Sequence, residues 1–204
     1  MRRRHLTFFL CFSLVLTPFR AFGDWISESD QVAARAIDAL SKKDISKLAG
    51  LIHYPVDFTP EEVREDSEGI SAGLAFLFER FGNPKDIRPH TGPSRFFEIG
   101  MFGGTTEYWE SLSPFESRDY LFTATFDFGT GFIKIRTFRH AQRNEPQIQA
   151  VAMGIPTHIP NSKTLAADAM VGMMKAMEIP IPDGYREFLD EHFLPIFLEP
   201  TDSI

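Results

Sequence analysis

The 204-residue sequence predicts an α+β fold: a curved antiparallel sheet of about four to six strands packed on N-terminal helices, with a C-terminal helical extension. Three observations lead there. The stretch Tyr120–His140, YLFTATFDFGTGFIKIRTFRH, reads as two alternating strands folded back at Gly129-Thr130. Three segments before Gly82 carry apolar residues at helical spacing. Proline and glycine then cut the later chain into short runs, the last of them helical again.

Side chains alternate across a strand, so the loop length of a hairpin decides which residues share a face. A two-residue loop at Gly129-Thr130 puts glycine at the positive-φ position of a type II′ turn. Phe122, Ala124 and Phe126 then lie with Ile133, Ile135 and Thr137. Thr123, Thr125, Asp127, Lys134 and Arg136 share the opposite face, which is expected to be wet, with any charge pairs on it at the surface. A three-residue loop would set Lys134 and Arg136 among phenylalanines, so the even register is the expected one. Asp127-Phe128-Gly129 matches a kinase metal-binding triplet, but no Gly-rich phosphate loop or HRD segment accompanies it.

Residues 1–23 read as a secretory signal, with Arg2, Arg3 and Arg4 before the apolar run Leu6–Leu16 and small residues at Ala21-Phe22-Gly23. Cleavage is expected before Asp24, and the protein is expected to be exported, periplasmic or secreted. Removing that segment takes four arginines and Cys11, the single cysteine. It leaves 181 residues with 17 Lys+Arg against 28 Asp+Glu, a net charge near −11. Residues 24–204 are then one α+β domain without disulfides, with a fold core at about 28–157 and a helical tail at 160–204. The acidic balance argues against nucleic acid or an anionic membrane surface as a partner. After the signal, no run is apolar and long enough to span a bilayer.

In order, Ser27 before Asp30 resembles a capping box opening a helix that carries Val32, Ala33, Ala36, Ile37 and Leu40. Asp44 caps a shorter helix through Ile45, Leu48, Ala49 and Ile52, which Pro55 ends, and Val56–Phe58 suits a short strand. Asp66 or Ser67 starts a third helix with Ile70, Leu74, Leu77, Phe78 and Phe81 on one side, stopped by Gly82 and Pro84. Asn83–Ser94 reads as a loop, and Arg95–Met101, Thr105–Leu112 and Gln147–Ile155 as strands around the hairpin. In the tail, Asn161 or Ser162 caps Leu165–Met177 and Asp183 caps Tyr185–Phe193.

The segments Ala39-Leu40-Ser41-Lys42-Lys43-Asp44 and Leu51-Ile52-His53-Tyr54-Pro55-Val56, set in this order of helices and strands, resemble the nuclear transport factor 2-like fold. The second segment looks like the Tyr-Pro turn of exported bacterial members of that fold. The resemblance runs from about Asp30 to Ile155 and implies a cone-like shape, in which a curved sheet wraps a long helix around a cavity. It implies either a ligand binder or an enzyme of ketosteroid isomerase or dehydratase type, but no catalytic position of those enzymes can be matched here residue by residue.

Candidate catalytic residues are therefore read from their own chemistry. His53, Tyr54 and Asp57 cluster where the second helix ends. They form either a polar trio at a pocket rim or a turn in which His53 bonds to backbone and Tyr54 packs under Pro55. Glu98 alternates with Phe96 and Gly100, opposite Phe97, Ile99 and Met101. It lies on the wet face if Phe97 faces the core, and is a buried carboxylate if the faces are reversed. Met170, Met173, Met174 and Met177 spread over one helical side and read as packing rather than a copper site. The histidines show no paired metal spacing, so no metal or cofactor is expected.

The preferred functional expectation is an exported, non-catalytic module whose apolar pocket, lined by Tyr54, Phe97, Phe122 and Phe126, takes a small hydrophobic ligand or a partner segment. It rests on the phenylalanine content, 21 of 204 residues, joined to the lack of catalytic spacing. Phe188, Phe193 and Phe197 would cap the open end or dock on a partner protein. The alternative is a small isomerase or lyase of the same fold with His53, Asp57 or Glu98 as its acid–base pair. An interaction protein using the acidic surface and the tail is a third reading.

Overall fold

The computed structural model describes residues 22–54, 58–102, 115–140 and 146–198. Its strands are β1 (Lys85–Pro89), β2 (Ser94–Phe102), β3 (Phe115–Phe126), β4 (Gly129–His140), β5 (Gln147–Pro156) and β6 (Ile196–Leu198). They form one open antiparallel sheet in the order β1-β3-β4-β5-β2-β6. The helices are α1 (Phe22–Ser41), α2 (Ile45–Ala49), α3 (Pro60–Phe81), α4 (Ser162–Ala176) and α5 (Tyr185–His192). No helix among the described residues is long and apolar enough to cross a membrane. The expected signal before Phe22, and Pro55, Val56, Asp57 and Thr105–Leu112, lie outside the described residues.

The hairpin forms with its faces as expected but with its turn two residues earlier. Phe126 pairs with Gly129 and Phe122 with Ile133, so the loop is Asp127-Phe128. The shift is even, which preserves the face sets. The cause is a contact with α3: Asp127 N–H donates to Phe81 O at 2.7 Å, and the Phe128 ring meets Phe81 edge-on at 5.2 Å. Gly129, at φ +111°, supplies the backbone conformation that closes the turn.

One face of the sheet carries Phe97, Ile99, Phe126, Ile133, Ile135, Val151, Met153 and Ile155, all in the core, with Phe122 half-buried beside them. Val32, Ala36 and Leu40 of α1, Leu48 of α2, and Ile70, Leu74 and Leu77 of α3 pack on that face. At α1 the contact is also polar. Ser29 and Thr137 share a buried hydroxyl–hydroxyl hydrogen bond, and Tyr120 Oη donates to Asp30 Oδ1 at 2.7 Å.

The ends of several elements differ from expectation. Ser27 lies inside α1, which is already helical at Phe22. α3 starts at Pro60 rather than Asp66, because Thr59 and Glu62 make a full capping box and proline suits the first helical position. The expected loop Asn83–Ser94 contains β1, an edge strand on β3 with a register shift between Lys85 and Arg88. Asp44 caps α2 as expected, accepting from Lys47 N–H at 3.0 Å. Asn161 precedes α4 in a left-handed conformation without a side-chain cap bond, and Gly184 rather than Asp183 precedes α5. β6 was not expected at all; it pairs with β2 through Ser94–Leu198, Arg95–Phe197 and Phe96–Ile196. α4 packs on α3, where the Phe76 ring covers Gly172 so closely that a Cβ there would collide with it.

Candidate functional site

β5 reads Ala150-Val151-Ala152-Met153-Gly154-Ile155, large residues alternating with small ones. The large ones enter the helix-side core, so the small ones leave a shallow trough on the opposite face. Pairing sets Gly154 between Glu98 and Phe132, and Ala152 between Gly100 and Lys134. Phe96 and Phe132 close over Gly154, their ring centroids 5.0 Å apart, and a Cβ at Gly154 would lie 2.6 Å from the Phe96 ring. Across the trough Lys134 Nζ meets Glu98 Oε2, with the two side chains 7% and 11% exposed.

This corrects the expectation of a wet opposite face. Phe97 does face the core, which was to leave Glu98 in water, yet Phe96, Phe132, Phe138, Ala150 and Ala152 are all buried on the other side. Lys134 is buried there rather than in a surface pair. Arg136, the next cation along β4, forks onto Asp119 at 2.6 and 2.8 Å, and that carboxylate pushes its pKa further up. Asp127 is exposed in the turn and takes no part.

His90 and Ser94 join this face without having been singled out from the sequence. Ser94 alternates with Phe96 and Glu98, its Oγ lies 2.5 Å from His90 Nε2, and the His90 ring packs edge-on against Phe132 at 5.1 Å. The available signal was the small-residue face of β5, which leaves room for long or charged neighbours.

The other candidates fall elsewhere. His53 is buried, its backbone N–H donating to Ile148 O at 2.8 Å and its ring set 5.0 Å from Phe138. Ile148 and Gly154, which mark the positions of His53 and Glu98 along β5, are six residues apart, roughly 20 Å of strand. Those two groups therefore do not converge on one reacting atom. Tyr54 Oη donates to Ala49 O at 2.9 Å, tying the turn back to α2, and burial pushes its pKa up. Asp57, and the Pro55 under which Tyr54 was expected to pack, lie outside the described residues.

Of the four expected pocket residues, Phe126 and Phe97 line different concavities, and Tyr54 and Phe122 line neither. Phe126 lines a cavity of about 20 Å³ between α3 and the sheet, together with Leu40, Leu77, Phe78, Ile133 and Met153. That is room for a single water, not for an organic ligand. Phe97 instead lines an open groove of about 490 Å³ at the β2–β6 edge, with Ile159, Phe193, Leu194 and Pro195 as its apolar walls and Arg95, Thr157, Asn161, Ser162 and Lys163 as its polar lining. Phe193 packs edge-on against Phe97 at 5.5 Å. Leu194 is 73% exposed and Phe197 58%. Both belong to the tail, which was expected as a helical extension beyond the fold core. Of the four methionines singled out, Met173 is in the core, and Met170 and, just past the end of α4, Met177 pack against it.

No family model, curated protein or solved structure matches this chain.

Proposed function

We propose that this chain is an exported, non-catalytic binding module of nuclear transport factor 2-like type, whose small apolar ligand lies in the groove at the β2–β6 edge. The observation that carries the reading is Leu194, left 73% exposed beside a groove walled by Phe97, Ile159, Phe193 and Pro195. Apolar surface gathered in a concavity of this size is the usual form of a small-molecule site. The sheet laid on three N-terminal helices supports a cone-like fold, with Lys42-Lys43-Asp44 at the turn between the first two. The basic and apolar residues before Asp24 support export. The isomerase or lyase alternative draws less support, because Glu98 is engaged by Lys134 and lies far along the sheet from His53.

Native mass spectrometry of the chain isolated from its own host tests the reading. The expected result is a bound small molecule in the wild-type protein that is absent from Leu194→Asp, with unchanged thermal unfolding because this side chain is mostly solvated. An adduct that survives Leu194→Asp, or no adduct at all, removes the groove as the ligand site.

A further inference from the structure

Building on the groove as ligand site, we infer that its ligand is an aliphatic carboxylate, with the chain on the apolar wall and the carboxylate between Arg95 and Lys163. The argument is one of charge placement. The sequence carries a net charge of −7, and the cleft between α3 and the end of α4 follows that balance, lined by Glu62, Glu65, Asp66, Glu68 and Glu178 beside Arg64. The groove at the β2–β6 edge reverses it. Among the described residues lining it, the two charged side chains are both cations, Arg95 and Lys163, and no carboxylate accompanies them.

Neither cation forms an ion pair among the described residues, a state shared by Arg35, Arg80 and Arg88 elsewhere, so both are free to meet a ligand's charge. Their positions are fixed by rigid elements. Arg95 lies two residues before Phe97, on the same face of β2 and opposite Phe197 of β6, and it is exposed. Lys163 stands in the first turn of α4. Two cations at the margin of an apolar surface suit a ligand that is apolar along its length and anionic at one end. The planar guanidinium of Arg95 can hold both oxygens of a carboxylate, and Lys163 adds a point charge. A neutral apolar molecule would gain nothing from either charge, and a cationic one would be repelled.

Decanoate and decanol, titrated calorimetrically into the purified chain below their micelle-forming concentrations, separate this inference from the reading it rests on. Decanoate is expected to bind about tenfold or more tightly than decanol, as a charge-assisted contact predicts. In the double variant R95Q/K163Q that preference should vanish while decanol binding stays the same. Equal affinity for the two probes in the wild-type chain overturns the carboxylate but leaves an apolar groove standing. A preference that persists in R95Q/K163Q also overturns it, since the anion is then held elsewhere. Failure of both probes to bind removes the inference and the groove together. Both substituted side chains lie at the groove margin, and matching circular dichroism spectra would establish that the variant is folded.

Discussion

Lys134 reaches Glu98 because two of its neighbours are small. Ala152 and Gly154 of β5 lie between β4 and β2 on that face, and any larger residue would fill the space the pair crosses. The cost of such a pair lies in breaking it, since a buried charge without a counterpart is far less stable than either a pair or an apolar substitute. Lys134→Met is expected to destabilise the fold by about 3–5 kcal/mol in urea unfolding, and Lys134→Met with Glu98→Met by much less. A double variant as unstable as the single one would show that packing rather than charge dominates this position. Tyr120 offers a second measurement at this scale. Burial first, and the hydrogen bond to Asp30 after it, push its pKa up to about 12. The folded state therefore favours the protonated phenol, whose ordinary pKa is about 10. That contribution is complete below pH of about 10 and is lost as pH rises toward about 12. Wild type should lose more stability across that window than Tyr120→Phe, as thermal unfolding at a series of pH values would record.

Among the elements, α3 holds much of the core in place, contributing Ile70, Leu74, Leu77 and Phe81. Its start depends on reciprocal bonds: Glu62 N–H donates to Thr59 Oγ1 at 3.2 Å, and Thr59 N–H to Glu62 Oε2 at 2.6 Å. Thr59→Ala removes the first and loosens the second, at an expected cost of about 1 kcal/mol, readable as a lower urea midpoint at unchanged slope. The box was legible as Thr59-Pro60-Glu61-Glu62, yet the apolar spacing that begins at Ile70 drew the predicted start downstream. A helix whose first turns are solvated shows no periodicity there, so only its cap marks the boundary. β1 was illegible for a related reason. Lys85-Asp86-Ile87-Arg88-Pro89 has an edge-strand composition, polar and ended by proline, and it becomes a strand only because β3 offers it a partner.

Across the whole molecule, the tail changes most from sequence to structure. Three residues at Ile196–Leu198 have no pattern of their own, but pairing with Ser94–Phe96 makes them the last strand of the sheet and sets Phe193 against Phe97. The groove that carries the functional reading is therefore built from β2, the turn after β5, the start of α4 and the tail together. Phe97 was legible as a core-facing residue through its alternation, and the place of Leu194 was not legible, because an isolated leucine before a proline carries no period.

The sequence by itself determined the α+β class, the antiparallel hairpin, the three N-terminal helices and the face on which Phe126, Ile133 and Ile135 lie. Those features follow from side-chain alternation and helical spacing, which act between residues a few positions apart. Tertiary structure alone decided where the hairpin turns, why Glu98 and Lys134 are buried, and that the tail adds the last strand to the sheet. Each of these depends on groups that meet only after folding: Asp127 with Phe81, Gly154 with Phe96, and Leu198 with Ser94.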